Sequence, residues 1–285
     1  MLSEGVRRLY RKWLAKYSKA NPPAPCRPDP SEKPDVEACV THTASGAADV
    51  PASAPRILLV IPCYNEEGSI GGLLAEIAET GRGYHTLVVD DGSADATSAV
   101  ASARSPVARL TQNLGIGGAV QTGFKYAARH NYDFCLQIDG DGQHDPREIE
   151  VLLAAYRARP TNITIGSRFI DNAGFRSTRL RRIGSRMIAQ ALNRLFSGGR
   201  ITDPTSGMRL LDRRAIAFFA ERYPMDFPEP ISLAWAMRAG LSVGEAPVGM
   251  RPRETGVSSI DGLKVVSYMI RVLGYILLAR LSRKA

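Results

Sequence analysis

At 285 residues, 44% of them hydrophobic and 23% charged, the chain has the composition of a globular protein able to bury a substantial core in one large or two small domains. Its 37 Lys and Arg against 28 Asp and Glu leave a net charge of +9, which points to an anionic partner: nucleic acid, anionic lipid or a phosphorylated small molecule. The absence of an aromatic-rich RNA-binding motif and of zinc-finger spacing argues against nucleic acid, and no run reaches the ~18 to 20 apolar residues of a membrane span.

Residues 1–20 read as a short basic helix. Leu2, Val6, Leu9, Tyr10, Trp13, Leu14 and Tyr17 share one face, and Arg7, Arg8, Arg11, Lys12, Lys16 and Lys19 lie mostly around the other. That charged pattern stands where a secretory signal would need an apolar stretch. Residues 21–55, rich in Pro, Ala, Ser and Asp without a hydrophobic period, read as a disordered linker. From Arg56 strands and helices alternate. Ile57–Ile61 is a buried strand and Ser69–Glu79 a helix. Thr86–Val89 is a strand, followed by a helix near 95–103 and a short strand near 107–110. A helix from about Gly117 to Arg129 precedes the strand Phe134–Ile138. Pro146–Arg157 reads as a helix capped by Asp145, and Ile163–Ile165 as a further strand. Such alternation predicts an α/β fold with a mainly parallel sheet. Beyond it lie a basic helical stretch over 176–196, shorter elements punctuated by Pro over 200–250, and a final helix over 261–284. Cys26, Cys39, Cys63 and Cys135 form no CxxC pair or metal-ligand spacing and read as unpaired thiols in a reducing compartment.

The polar clusters fall directly after strands. Pro62-Cys63-Tyr64-Asn65-Glu66-Glu67 follows the first, Asp90-Asp91-Gly92-Ser93 the second, and Asp139-Gly140-Asp141-Gly142-Gln143-His144-Asp145 the strand ending at 138. Ligands of an open parallel sheet bind beyond the carboxyl ends of its strands, so these acidic turns are expected to converge. Asp139 and Asp141 can present carboxylates to one hard cation, with Gln143 as a neutral oxygen. Mg2+ or Mn2+ there would offset the charge that develops on a departing diphosphate. An Asx-rich surface turn is the plain alternative; an EF-hand-like loop would need a glutamate at its twelfth position, and this one lacks it. The turn Asn113-Leu114-Gly115-Ile116-Gly117 can bring backbone amides to a phosphate or a base, or simply start a helix.

The order PCYNEE, VVDDGSADAT, NLGIGGAVQTGFKYA, QIDGDGQHDP, IGSRF, DPTSGMRLLDRRA and RPRETGVSSI, spanning about residues 56–260, resembles glycosyltransferase family 2. The similarity is to its dolichol-phosphate mannosyltransferase and bacterial polyprenyl-phosphate glycosyltransferase branch. The resemblance implies a Rossmann-like GT-A domain over 56–258 with helices on both faces of its sheet; the residue pattern itself adds amphipathic terminal helices at 1–20 and 259–285. It further implies an inverting, metal-dependent hexosyltransferase that takes a sugar from a UDP- or GDP-linked donor to a polyprenyl phosphate, in the making of a cell-envelope glycan. Carried over by position, Pro62, Tyr64, Glu66 and Asp91 match donor contacts, joined by Asn113 and Gly117 of the Gly-rich turn. Asp139, Asp141 and Gln143 match the metal motif, Asp139 nearer the sugar. Arg168 matches a basic residue near the acceptor phosphate, and Asp203, Ser206 and Arg209 a motif on the acceptor side. Arg253 and Ser258 match phosphate contacts, with Arg168 and Arg253 joining the two aspartates as catalytic residues. Asp203 bracing a loop and Ser258 capping the final helix are the structural alternatives.

A phosphate acceptor is already an anionic nucleophile and needs no base. It needs cations to hold two anionic substrates together, and Arg176, Arg179, Arg181, Arg182 and Arg186 suit that unless they form a solvated helix face. A saccharide hydroxyl would need a base, for which Asp226 and Glu229 are the candidates. A non-catalytic subunit that binds a nucleotide sugar is the remaining alternative. The final helix carries Val265, Val266, Ile270, Leu273 and Leu277 interrupted by Lys264, Arg271 and Arg280, which fits a helix lying at a membrane surface or docked on protein. The expectation is a cytoplasmic protein peripheral to the membrane, with a separate membrane protein as partner because the family's C-terminal spans have no counterpart here.

Overall fold

The computed structural model describes residues 40–41, 55–170, 179–251 and 263–281. The chain divides into units 1–38 and 39–285, and the first lies outside the described residues, as do Arg176, Arg253 and Ser258. The second unit holds one mixed sheet. Its strands are β1 (Val40–Thr41), β2 (Ile57–Cys63), β3 (His85–Asp90), β4 (Val107–Arg109), β5 (Phe134–Gln137), β6 (Ile163–Ser167), β7 (Arg209–Asp212) and β8 (Val243–Pro247). The helices are α1 (Ile70–Glu79), α2 (Thr97–Ser102), α3 (Ile116–Arg129), α4 (Glu148–Ala158), α5 (Arg179–Leu195), α6 (Arg213–Glu221), α7 (Pro228–Arg238) and α8 (Leu263–Leu281).

The strand order is β1-β4-β3-β2-β5-β7-β6-β8. β2 lies parallel to β3 and β5, β3 to β4, and β6 to β8. β7 runs antiparallel to both β5 and β6, and β1 antiparallel to β4. The mainly parallel sheet is thus present, with one reversed strand in its middle. Because β7 begins where β5 ends, with Arg209 beside Gln137, the loop that feeds it arrives at the same edge as the acidic turns.

Alternation along β2 explains the layers. Leu58 and Val60 enter a core with α3, α5, α6, α7 and α8, whereas Leu59 and Ile61 enter a second core with α1, α2 and α4. A central strand buried on both faces must be apolar throughout, as the run ILLVI is. α3 presses on β2 closely enough that a Cβ on Gly123 would overlap Val60. α8 docks on the protein's own core through Val272, Ile276 and Ala279, leaving Ile270, Leu277 and Leu281 exposed. Among the described residues no helix is long and apolar enough to cross a membrane.

One expected boundary is corrected. α4 starts at Glu148, not Pro146, and Asp145 does not cap it. The Asp145 carboxylate instead accepts from Arg147 and pairs with Arg251 at 3.1 Å, while residues 145–149 make a tighter turn with Glu148 N–H on Asp145 O.

Candidate active site

The acidic turns meet, and hydrogen bonds between them hold them in register. Asn65, in a left-handed conformation at φ 57°, donates its N–H to Ser93 Oγ and accepts from Ala94 N–H. Glu66 N–H donates to Thr97 Oγ1, and Glu67 Oε2 accepts from Ala96 N–H. Ser69 Oγ lies 2.7 Å from Glu66 Oε2 and 2.9 Å from Gly140 O, joining the first turn to the third. With Asn65 and Glu67 committed to this bracing, Tyr64 and Glu66 join Pro62 and Cys63 in bordering the pocket.

The adjacent aspartates of the second turn divide in the same way. Asp90 is fully buried and accepts from Ser93 N–H and Ser98 Oγ. Asp91 faces the site and accepts Leu114 N–H at 2.7 Å, so the Gly-rich turn reaches the site by holding this carboxylate. Burial raises its pKa, opposed by the amides of Leu114 and Gly115. Asn113 accepts from Gly115 N–H and is exposed, and Gly117 packs against the backbone of 224–225, where a Cβ would stand 2.4 Å from Pro224 O. Neither borders the pocket; Ile116 and Ala119 of the same helix do.

Asp139 is positioned by its neighbours. Its N–H lies 3.2 Å from Nδ1 of the buried His144. Gln137 Nε2 reaches its Oδ1 at 3.4 Å, and Gly207 lies so close that a Cβ there would stand 2.5 Å from Oδ2. Gly140 presses on β2, where a Cβ would meet Cys63 Sγ at 2.4 Å. Asp141 accepts from Gln143 N–H, and Gln143 Nε2 donates to Arg251 O.

The pocket so formed has a volume of about 380 Å³ and is lined by Pro62, Cys63, Tyr64, Glu66, Asp91, Ile116, Ala119, Asp139, Gly140, Asp141 and Glu229. Among the described residues this lining holds five carboxylates and no Lys or Arg. Burial, and then the charges of Glu66, Asp90, Asp139 and Asp141, push the Cys63 thiol well up, so it stays neutral. Glu229 comes from the first turn of α7, between two prolines and after Phe227 held at φ 49°. Burial raises its pKa, Arg209 opposes that, and Asp139 adds to it. Asp226 is exposed and does not border the pocket.

The residues expected on the acceptor side form an adjoining brace. Arg168 makes a paired contact with the fully buried Asp203, Nε to Oδ2 at 2.7 Å and Nη2 to Oδ1 at 2.8 Å, and also donates to Thr205 Oγ1. Thr202 N–H and Asp203 N–H both donate to Glu245 Oε1. Arg209, 2% exposed, donates to Pro204 O, Ser206 O and Ser232 Oγ. Arg182 and Arg186 stand elsewhere, on α5.

Sequence reasoning passed over Gly207 and His144 and weighed Glu229 only as a base. His144 in the third acidic turn and Gly207 before β7 are visible in the sequence, but nothing in their spacing shows that they press on Asp139.

A sequence profile described as glycosyl transferase family 2 matches residues 58–218. A polyprenol monophosphomannose synthase of Mycolicibacterium smegmatis is 32% identical over 252 residues, which cover 84% of this chain and 94% of that protein. An undecaprenyl-phosphate mannosyltransferase of Micrococcus luteus is 30% identical over 235 residues, covering 79% and 96%. Among solved structures, the glucosyl-3-phosphoglycerate synthase of Mycobacterium tuberculosis in complex with Mg2+ and UDP superposes with a TM-score of 0.61 at 21% identity, covering 79% of either chain. The sheet and its flanking helices are those of the GT-A fold.

Proposed function

The chain belongs to glycosyltransferase family 2, and from that premise we propose that it moves a hexose from a UDP- or GDP-linked donor to a polyprenyl phosphate, with inversion, at the cytoplasmic face of a membrane. One observation carries the reading: among the described residues, five carboxylates and no basic side chain line the pocket beyond the strand ends. A bare diphosphate brought among these charges would be repelled by each of them. Such a lining suits an anionic donor only when a cation comes with it.

The residues fit a hard divalent ion. Asp139 and Asp141 offer oxygen ligands, and no third His, Cys, Asp or Glu among the described residues completes a cage, which leaves coordination positions to phosphate oxygens and water. Bound Mg2+ or Mn2+ would neutralise charge on the leaving diphosphate. Gln143, with Nε2 on Arg251 O, keeps only its Oε1 for a share in that set. Tyr64, Glu66 and Asp91 border the space for the nucleoside and ribose, and Asp91 is pre-set by its amide bonds. Arg168, paired with Asp203, stands near enough to Asp139 to feel its charge and would border the acceptor side.

Turnover of UDP- and GDP-hexoses with added polyprenyl phosphate tests this reading. Labelled, mild-acid-labile lipid, lost on chelation and restored by Mg2+ or Mn2+, is the expected product. Asp141→Asn should lower turnover by roughly 10² to 10³, the scale of one lost electrostatic group. Label in glycan and none in lipid would overturn the lipid acceptor.

A saccharide hydroxyl acceptor is the second reading, favoured by Glu229 in the pocket, since that reaction needs a base. Under it, Glu229→Gln loses about 10² to 10⁴ in turnover, the usual contribution of general-base catalysis. A phosphate acceptor imposes no such loss.

A further inference from the structure

A second concavity, of about 280 Å³, shares no lining residue with the acidic pocket. Arg182, Arg186 and Arg200 supply its charged groups, with Gln190, Asn193 and Thr202 as further polar lining and Phe169 beside them. Arg182, Arg186 and Gln190 stand four residues apart along one side of α5, so their side chains project together. Arg200 faces them from the loop after the helix. That loop is fixed, because Asn193 grips Ile201 through both ends of its amide, Nδ2 to O at 2.8 Å and N to Oδ1 at 2.9 Å. Thr202, next in the chain, is held by Glu245.

The charge balance here is the reverse of the first pocket. α5 carries no acidic residue, and among the described residues none of the three guanidiniums is ion-paired. Three like charges gathered in a fixed hollow repel one another unless an anion joins them. Guanidinium forks match phosphate oxygens in geometry as well as charge. On the same helix, next to the arginines, Ile183 and Met187 are 53% and 48% exposed. A phosphate bound here would have apolar surface directly alongside for whatever it is attached to.

We propose that this pocket is a second phosphate-binding site, distinct from the acidic pocket and from the Arg168–Asp203 brace, which takes the phosphate group of a lipid headgroup or of a soluble phosphate ester. It stands whichever acceptor the acidic pocket serves, because it draws on none of those residues.

Partition of the full chain onto vesicles separates the sources. Phosphatidylcholine vesicles with and without phosphatidylglycerol are compared for the wild type, for Arg186→Glu/Arg200→Glu, and for Arg214→Glu/Arg222→Glu. The last pair changes the net charge equally but sits on or next to α6, which packs on α3. Partition onto the anionic vesicles should fall about tenfold or more for the pocket pair and less than twofold for the α6 pair. In parallel, glycerol 1-phosphate is titrated by calorimetry. Loss of that binding in the pocket pair, with vesicle partition unchanged, identifies a soluble phosphate as the ligand. Equal loss of vesicle partition in both pairs, with no pocket-dependent heat of phosphate binding, assigns everything to diffuse net charge and overturns the site. Should circular dichroism show the Glu pair misfolded, Arg186→Gln/Arg200→Gln reads the same difference with less charge change.

Discussion

At the scale of single residues, the Asp139 carboxylate owes its position partly to a side chain that is missing. Gly207 leaves room for Oδ2, and a Cβ there would need 2.5 Å where real contacts require more. Gly207→Ala is therefore expected to turn Asp139 aside and lower turnover about 10²-fold, the cost of misplacement by an ångström. Gly72→Ala, with nothing within 4 Å, is the control, and kcat beside Tm separates misplacement from unfolding. Glu229 gives a pH prediction. Its folded pKa is raised by burial, so between the unfolded and folded values the folded state binds the extra proton, and stability falls as pH rises through that window. Glu229→Gln removes the ionisation and should raise Tm at neutral pH, with the gain vanishing below the ordinary glutamate range; a gain equal at all pH values would refute the assignment. Pro62, Tyr64, Glu66, Asp91, Asp139 and Asp141 were legible because each follows an apolar run that can only be a buried strand. Gly207 was not, and Glu229 could not be told from Asp226 as the residue that borders the pocket, since their contacts depend on how distant segments return to the sheet edge.

At the scale of elements, the reversed β7 decides what the second half of the chain contributes. Its feeding loop is held from within by Arg209, which satisfies the carbonyls of Pro204 and Ser206 and the hydroxyl of Ser232. Arg209→Met fills similar space but strands those buried groups, each costing about 1–3 kcal/mol. The urea midpoint should drop by an amount equivalent to about 3 kcal/mol with an unchanged m-value, and donor turnover should fall with it because the loop carries Asp203 and Gly207. Neither β7 nor β8 was foreseen as a strand: both are short, and RLLD and VGEAP carry no alternating pattern. The start of α4 was misjudged for a different reason. Asp-Pro is a strong helix-opening signal locally, yet Arg251, over a hundred residues away in the chain, competes for that carboxylate.

At the scale of the whole molecule, charge is sorted rather than spread: acid lines the pocket beyond the strand ends, and arginines collect along α5. This sorting lies beyond any composition count, which records only +9. One expected consequence is conditional ligand binding. UDP or GDP alone should shift Tm little, whereas either with Mg2+ or Mn2+ at a hundred times Kd should stabilise by about 2.7 kcal/mol. A full shift from the nucleotide in EDTA would contradict the need for a cation. The hydrogen bonds that cross from turn to turn carry a further implication for how the rim comes apart. Because Asn65 N–H rests on Ser93, Glu66 N–H on Thr97, and Leu114 N–H on Asp91, none of these loops can lift without uncovering an amide that belongs to a neighbour. In deuterated water these protons should exchange as one cooperative unit, with a shared opening free energy, although they are scattered across fifty positions of sequence.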